Sequence, residues 1–433
     1  MTIFVTVLVV AVAVTYFFKR GGYAEFPFLM SLIVIVWLVP QMWKLPGPED
    51  GGTDDLFPFA FFVLVCLLAT LLGYLLGRGR LARAAVPVPG QVVTRSVLVS
   101  YWPLIALTLF GYLIQLGLFS MPSEQLMQRT PTGTAAILKF FGQLKNVSMA
   151  LSALMYFRFR SRAFLLLFLA NFALFLPGMV LEVKRTQILT VFFVIAAAYW
   201  LSIRKEVPKT LIVLVAPVLL LLALAVGQLR AVSGVSVDQN NQLVFDLPTV
   251  SEILAIDWAE VARGDDMDPS LATIELRNAI AYKEIIDRKQ SFDLGAQFWN
   301  RLIQIYVPGS LVGADTKEAL KIGTDLYDFD YASDEGYSRL VGSTLTGFLQ
   351  AYADFWFLGA MIYLGSGFIL GRLYRRAHAG MILQQVVYLS ITIISLNILT
   401  HDSYRLLVFL PMQYAVAYVL VRSSFRAVQV VVP

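Results

Sequence analysis

Eleven separate runs of apolar residues, each long enough to cross a lipid bilayer as a helix, constrain this chain more than any other feature. They lie at about residues 2–18, 25–43, 56–76, 97–119, 134–156, 163–181, 188–203, 210–226, 343–370, 381–399 and 406–421. Hydrophobic residues make up 58% of the chain and charged residues 15%, whereas a soluble domain is about 45–50% apolar and about 25% charged. The sequence therefore predicts an all-α polytopic membrane protein with about eleven transmembrane helices, and it excludes a soluble globular enzyme.

The longest connection, between the eighth and ninth apolar runs, predicts one domain outside the bilayer. Three helices are expected in it, at about residues 250–263, 268–289 and 296–307. Asp268 and Pro269 fit the N-cap and the first position of the second helix, and Pro308 ends the third. Residues 309–343 are rich in Gly, Asp and Tyr without helical periodicity, so we expect an irregular strap there.

These assignments divide the chain into three parts. Residues 1–227 hold transmembrane helices 1–8, residues 228–342 form a helical cap and strap, and residues 343–433 hold transmembrane helices 9–11. Short turns on one side of the predicted spans carry 17 basic residues, against 7 on the other side outside the cap. By the positive-inside rule, we expect the N-terminus and the cap to lie outside the cytoplasm and the C-terminus to lie inside.

Other features of the composition narrow the class of protein. The cap holds 10 basic and 19 acidic residues, a net charge of −9, and the basic total of the whole chain does not imply nucleic acid. Cys66 is the single cysteine, so no disulfide framework or thiolate metal cluster is expected. The sequence lacks a phosphate-binding loop, an HExxH motif, a GxSxG motif and a dinucleotide-binding glycine motif that opens a helix after a strand. Nucleotide-driven chemistry is therefore unsupported.

Basic residues at the external ends of the spans are scarce, and those that occur are candidates for binding an anion. Lys184 and Arg185 interrupt an apolar stretch, and Arg230 follows the eighth span at a similar membrane depth. Arg277 and Arg301 lie within the second and third cap helices. Arginine is favoured because its planar guanidinium can bind two phosphate oxygens at once. Structural roles stay open for each: an ion pair in an exposed turn, contact with lipid headgroups, or an ordinary helix surface.

Candidate general bases lie in the last external turn and in the strap. His401 occupies the turn Thr400–Arg405, which also holds a carboxylate and a guanidinium between two spans. An imidazole in that setting suits group transfer to a hydroxyl, and anchoring at the membrane surface is the alternative. Asp328 and Glu335 are strap carboxylates that could serve the same purpose, although most strap carboxylates are expected to be solvated surface.

Three local motifs follow one another in an order typical of a known family of membrane enzymes. They are Lys184-Arg185-Thr186 opening a span, Gln228-Leu229-Arg230 at the start of the long loop, and Phe298-Trp299-Asn300-Arg301 followed by Pro308, Lys317 and Ser343-Thr344-Leu345-Thr346-Gly347. In this layout the chain resembles the Wzy-type bacterial polysaccharide repeat-unit polymerases, which include those of O-antigen and enterobacterial common antigen. The resemblance covers about residues 182–376.

The resemblance implies an inverting glycosyl transfer on the periplasmic face of the bacterial inner membrane. The donor would be a growing glycan on undecaprenyl pyrophosphate, and the acceptor would be the terminal sugar of a lipid-linked repeat unit. Its implied partners are these glycans, membrane lipid, a flippase and a chain-length regulator, with no nucleic acid. The pyrophosphate would be bound by Arg185, Arg230, Arg277, Arg301 and Lys184, and the base would be His401, Asp328 or Glu335.

We expect no cofactor and no metal ion, because the arginines alone could neutralise the pyrophosphate. Asp328 and Asp330, which flank Phe329, form the rival hypothesis of a Mg²⁺ site in the strap. Other functions also stay open. An O-antigen ligase would use the same lipid-linked donor with a lipid A core as acceptor, and a lipid or polysaccharide transporter would perform no chemistry. A dolichol-phosphate-sugar type of transferase is disfavoured because the first external loop, at about residues 44–55, is short.

Overall fold

The computed structural model describes residues 1–45, 56–79, 92–121, 133–177, 185–212, 214, 235–237, 243–245, 273–323 and 345–431. The described chain is mostly helical and divides into two compact units. The first unit comprises residues 1–79, 267–375 and 392–410, and the second comprises residues 80–266, 376–391 and 411–433. Each unit is therefore assembled from segments that are distant in sequence.

The first unit contains one shorter apolar helix and two helical segments long and apolar enough to cross a membrane, all from the N-terminal part of the chain. It also contains the described cap helices and parts of the C-terminal helices. Its elements are α1 (Thr2–Phe18), α2 (Phe26–Ile33), a π-helical turn (Val34–Leu38), α3 (Val39–Lys44) and α4 (Leu56–Arg78). The second unit follows with β1 (Val92–Leu98), α5 (Trp102–Phe119), α6 (Gly133–Phe141), α7 (Lys145–Phe159), α8 (Arg162–Ala173), α9 (Arg185–Ile203), β2 (Val235–Val237) and β3 (Leu243–Phe245).

The chain then returns to the first unit with α10 (Ile274–Lys289), α11 (Ala296–Tyr306), α12 (Gly309–Val312), α13 (Ala314–Ala319), α14 (Gly347–Phe355) and a 3₁₀ turn (Trp356–Gly359). Three long helices and a strand complete the fold: α15 (Ala360–His378), α16 (Ile382–Thr400), α17 (Arg405–Ser424) and β4 (Phe425–Val431). The boundaries between the two units fall within α15, α16 and α17, so each of these helices belongs partly to each unit.

Six helical segments of the described chain are long and apolar enough to cross a membrane. They are Phe26–Lys44, Leu56–Arg78, Trp102–Phe119, Gly347–His378, Ile382–Thr400 and Arg405–Ser424. Three shorter apolar helices, Thr2–Phe18, Arg162–Ala173 and Val191–Ile203, accompany them. The length and apolar character of these helices therefore confirm the prediction of a multi-pass helical membrane protein. The number of eleven spans stays a prediction.

Two pairs of short antiparallel strands were not anticipated by the all-α prediction. β1 pairs with β4 from Val92 opposite Val431 to Leu98 opposite Phe425, and β2 pairs with β3. The fourth span consequently begins at Trp102 rather than at residue 97. Both strands of the first pair are rich in β-branched residues, which favours extended structure, but the partners are more than 300 residues apart. Local periodicity cannot reveal such a pairing.

Close helix packing in the first unit follows from glycines on two facing helices. A Cβ atom at Gly73 would lie 2.0 Å from the backbone oxygen of Leu364, and one at Gly367 would lie 2.2 Å from that of Thr70. Gly77 and Gly371 make equally close approaches one turn further along. The small-xxx-small spacing of the sequence thus forms a direct contact between α4 and α15, whose backbones approach where no side chain intervenes.

A buried carboxylate joins the C-terminal ends of α1 and α4. Glu25, which is 1% exposed, lies 2.6 Å from Nζ of Lys19 and 2.9 Å from Nε of Arg78. The hydroxyl of Tyr74 donates to the same carboxylate at 3.0 Å. Lys19 follows α1 and Arg78 ends α4, so both helix ends lie on one side of the first unit. This arrangement agrees with the alternation of basic turns in the sequence.

The described part of the cap confirms two predicted helices and corrects the strap. α10 ends at Lys289, as expected, but it begins at Ile274 after Thr273, so the predicted helix start at Pro269 is wrong; the predicted N-cap Asp268 lies outside the described residues. α11 spans Ala296–Tyr306, close to the predicted 296–307. Residues 309–319 are not irregular, because two short helices, α12 and α13, follow Pro308. The turns between them use Gly313 at φ 89°, a conformation that suits glycine. The first predicted cap helix and the remainder of the strap lie outside the described residues.

Candidate functional site

The turn between α16 and α17 carries four polar residues whose backbone is fixed by local hydrogen bonds. The amides of His401 and Asp402 both donate to the carbonyl of Asn397 at 2.9 Å, which closes the end of α16. Oδ1 of Asp402 accepts from the amide of Tyr404 at 3.0 Å, an Asx turn that leads into α17. The next helix therefore begins at Arg405 with its first turn held in place.

An ion pair joins this turn to the cap. Nε of Arg301, in the middle of α11, donates to Oδ2 of Asp402 at 2.8 Å. Nη1 of Arg301 donates to Oε1 of Gln304, one turn later on the same helix, at 2.7 Å. The Asp402 side chain is only 3% exposed, whereas that of Arg301 is 35% exposed. The arginine therefore keeps part of its surface accessible to a ligand.

Arg405 provides a second guanidinium beside the same carboxylate. Its charge interacts with those of Asp402 and Arg301, and its guanidinium carbon lies 5.7 Å from the centre of the Phe409 ring. Nε of Arg405 is buried and has no hydrogen-bond partner within the described part of the chain. A cation at a helix N-terminus faces the positive end of the helix dipole, which is unfavourable unless an anion binds there. Arg301, Asp402 and Arg405 together form what we call the arginine cluster.

Buried side chains of α14 fix the position of the arginine cluster. Oε1 of Gln350 accepts from the amide of Ser403 at 2.8 Å and from its hydroxyl at 3.2 Å. The hydroxyl of Tyr404 donates to Oδ2 of Asp354, which is fully buried. Gln350 and Asp354 are four residues apart, so they occupy one face of α14. That face holds the turn in one conformation.

Helix α11 is held in turn by the segment after it. Nε1 of Trp299 donates to the carbonyl of Leu320 at 2.8 Å, and Asn300 exchanges two hydrogen bonds with the backbone of Ile322. Nζ of Lys317 donates to the carbonyl of Gln304 at 2.9 Å. Burial and the nearby Lys321 lower the pKa of Lys317. Gln304 therefore connects Lys317 to Arg301, and a further cation borders the arginine cluster.

His401 lies at the edge of the arginine cluster. Its Nδ1 is 2.6 Å from Oγ1 of Thr400. Although more than a third of the residue is exposed, burial of the ring and the positive charge of Arg405 lower the pKa of His401 to about 4, against a smaller opposing effect of Asp402. The imidazole is consequently neutral at pH 7. It can accept a proton or a hydrogen bond, but it adds no positive charge to the site.

The structure brings together two of the predicted site residues, Arg301 and His401. Arg277 lies half-buried on α10, and no described hydrogen bond or ion pair joins it to the arginine cluster. Arg185 begins α9 in the second unit, and its side chain is not described. The remaining predicted residues lie outside the described residues: Lys184, Arg230, Asp328 and Glu335.

Sequence reasoning did not assign Asp402, Arg405, Gln350 or Asp354 to the site. Asp402 and Arg405 carried a signal, since both lie in the short external turn with His401. Asp354 also carried one, because a carboxylate within an apolar span is costly and needs a partner. Gln350 had no distinguishing local pattern, and its role depends on a contact with Ser403, 53 residues away.

No group of three or more His, Cys, Asp and Glu side chains comes together among the residues that the structure describes. Asp328 and Asp330, the rival metal site, lie outside them, so the expectation of a metal-free site stays a prediction. Comparison of the chain with protein-family models, with curated proteins and with solved structures gives no match.

Proposed function

We propose that this chain is a membrane glycosyltransferase that polymerises lipid-pyrophosphate-linked oligosaccharide repeat units on the periplasmic face of a bacterial inner membrane. The observation that carries the proposal is the arginine cluster, in which Arg301 and Arg405 face one carboxylate at the N-terminus of α17. The motif order of the sequence, which resembles Wzy-type polymerases, supplies the substrate class. O-antigen ligase and transporter activity remain the competing functions.

The arginine cluster suits a pyrophosphate leaving group. Departure of undecaprenyl pyrophosphate develops negative charge on the phosphate oxygen, and preorganised guanidinium groups stabilise such charge strongly where water is excluded. Arg301 and Arg405 project from different elements, the cap and a membrane helix, so they could approach two phosphoryl groups. The N-terminus of α17 adds a favourable electrostatic contribution for an anion.

The reaction that we propose is a single inverting displacement. A hydroxyl oxygen of the acceptor sugar attacks the anomeric carbon of the donor glycan, and a new glycosidic C–O bond forms as the bond to the phosphate oxygen breaks. The electron pair of that bond leaves with undecaprenyl pyrophosphate, whose charge the arginines neutralise. The hydroxyl proton passes to a base, and the anomeric configuration inverts.

His401 is our first candidate for that base, because it is neutral and borders the arginine cluster. A base whose pKa is about 4 is weak at neutral pH, since general bases work best with a pKa near the working pH. Binding of a dianionic pyrophosphate beside the ring would raise its pKa and offset the effect of Arg405. Asp328 and Glu335 of the strap are the alternative bases that we retain.

The experiment that tests the proposal measures release of undecaprenyl pyrophosphate and growth of the glycan by purified protein in nanodiscs. Arg301→Ala and Arg405→Ala should each reduce turnover by about 100-fold or more, the usual scale for losing one oxyanion-stabilising donor. Arg288→Ala is the matched control, since Arg288 is an exposed arginine of α10 in the same cap. Full activity of both cluster variants would remove the arginine cluster from the mechanism.

A further inference from the structure

A second polar site lies in the first unit, on the opposite face of α14 from the arginine cluster. Tyr352 is two residues from both Gln350 and Asp354, so its side chain leaves the helix on the other face. Its hydroxyl donates to Oδ1 of Asp287 on α10 at 2.7 Å. Oδ2 of Asp287 accepts from Nζ of Lys283 at 2.6 Å, and Nζ also lies 5.4 Å from the Tyr352 ring.

This polar pair forms one wall of a cleft of about 480 Å³. That volume is within the range of about 300–1,000 Å³ that small-molecule sites occupy. Its lining includes four aromatic residues, among them Tyr352 and Trp356. The lining also holds the Lys283–Asp287 ion pair and the amide of Gln290. The cleft therefore combines flat apolar surfaces with hydrogen-bonding groups.

The backbone conformation of Trp356, in the lining of the cleft, is unfavourable for folding. Its backbone has φ 51° and ψ −138°, in the region that favours glycine. The side chain is nevertheless 52% exposed, so burial of the indole does not offset the backbone strain. Strained residues of this kind concentrate at functional sites. The break that it makes between α14 and α15 places the partly exposed indole in the lining of the cleft.

We propose that this cleft binds a neutral sugar ring of a glycan. The exposed indole offers a flat surface for the C–H face of a pyranose, and the partly exposed Asp287 and the exposed Gln290 offer an acceptor and a donor for its hydroxyls. The ion pair neutralises itself, so the cleft has no surplus charge for an ionic ligand. A hydrocarbon chain would leave the polar wall without partners. The choice of a repeat-unit glycan rests on the proposed function, but sugar binding itself does not.

The test uses oligosaccharide released by mild acid from the lipid carrier of cells that lack the protein. Binding is measured by saturation-transfer NMR with the full chain in nanodiscs, because common maltoside detergents would compete. Trp356→Gly relieves the strained backbone and removes the indole, so it should fold normally and bind about fivefold more weakly or worse. Trp356→Phe should recover part of the affinity. Trp102→Ala, at another exposed tryptophan, is the matched control and should bind as the parent does.

The outcomes separate the two proposals. Equal affinity of the parent and Trp356→Gly would overturn the sugar site and leave the indole as a membrane-interface anchor. Absence of binding by the parent would overturn it too, whether or not the protein polymerises. Binding that depends on Trp356 in a protein that forms no polymer would sustain the sugar site and contradict the proposed function.

Discussion

Nε of Arg301 lies 2.8 Å from Oδ2 of Asp402 and so connects the cap to the turn between the last two membrane helices. The two residues are 101 positions apart in sequence. Arg405 faces the same carboxylate, and one carboxylate cannot neutralise two guanidinium groups. The Asp402 carboxylate therefore orients Arg301, and the added charge of Arg405 leaves the arginine cluster with a positive charge that suits an anion.

Asp402→Asn should have opposite effects on stability and on anion binding. The amide oxygen can still accept from the Tyr404 amide, but the carboxylate charge between Arg301 and Arg405 is lost. We expect the free energy of unfolding to fall by about 1–3 kcal/mol, the scale for a hydrogen bond to a charged group. Inorganic pyrophosphate should bind more tightly to the variant, as measured by calorimetry. A decrease in pyrophosphate affinity would show that the arginine cluster is only structural.

His401 should make stability depend on pH between about 4 and 6.5. Its pKa is lowered to about 4 in the folded chain, so in this range the unfolded chain binds a proton that the folded chain does not. Stability should therefore fall as pH falls from about 6.5 to 4. His401→Asn should reduce that slope in thermal unfolding at pH 7, 6 and 5. Identical slopes for the parent and the variant would contradict a lowered pKa.

Gly367→Ala should destabilise the first unit strongly. The added Cβ would lie 2.2 Å from the backbone oxygen of Thr70, so α4 and α15 would have to move apart. We expect a loss of about 1–3 kcal/mol or more in unfolding by sodium dodecyl sulfate. Gly365→Ala, two residues away on the same helix, is the control because no atom lies within 4 Å of its Cβ position. Equal stability of the two variants would show that α4 and α15 do not meet at these glycines.

Glu25→Gln should reduce stability without removing catalysis. The substitution leaves Lys19 and Arg78 facing one another without their shared, buried carboxylate, and breaking such a pair costs about 3–5 kcal/mol. Glu318→Gln is the control, because Glu318 is 65% exposed and its pair with Lys321 should contribute no more than about 1 kcal/mol. Both variants should retain turnover once reconstituted. Unchanged stability of Glu25→Gln would show that the Glu25 carboxylate does not stabilise the contact between the ends of α1 and α4.

The sequence predicted the features that depend on local pattern. The apolar runs located most of the described helices, and Pro308 marked the end of a cap helix. Arg301 was singled out by the aromatic and Arg motif of the third cap helix and His401 by its place in the last external turn, and the role of either residue in the site stays a prediction. Each of these signals is carried by residues within a few helical turns of one another.

Features that depend on distant contacts could not be predicted. Asp402 and Gln350 acquire their roles from residues 101 and 53 positions away, and β1 is complemented by a strand at the other end of the chain. Trp356 resembles an ordinary interfacial tryptophan in the sequence, and only its positive φ and its place in the cleft distinguish it. The spacing of residues along the sequence does not reveal these contacts or this backbone conformation.

The decisive measurement is the length distribution of glycan on the lipid carrier in cells from which this protein has been deleted. If the chain is a polymerase, long chains disappear while single repeat units persist, exposed on the periplasmic face, and the parent protein restores long chains but Arg301→Ala does not. Long chains that persist on the carrier but fail to reach the lipid A core would instead identify a ligase. Single units confined to the cytoplasmic face would identify a transporter, and either result would contradict a polymerase.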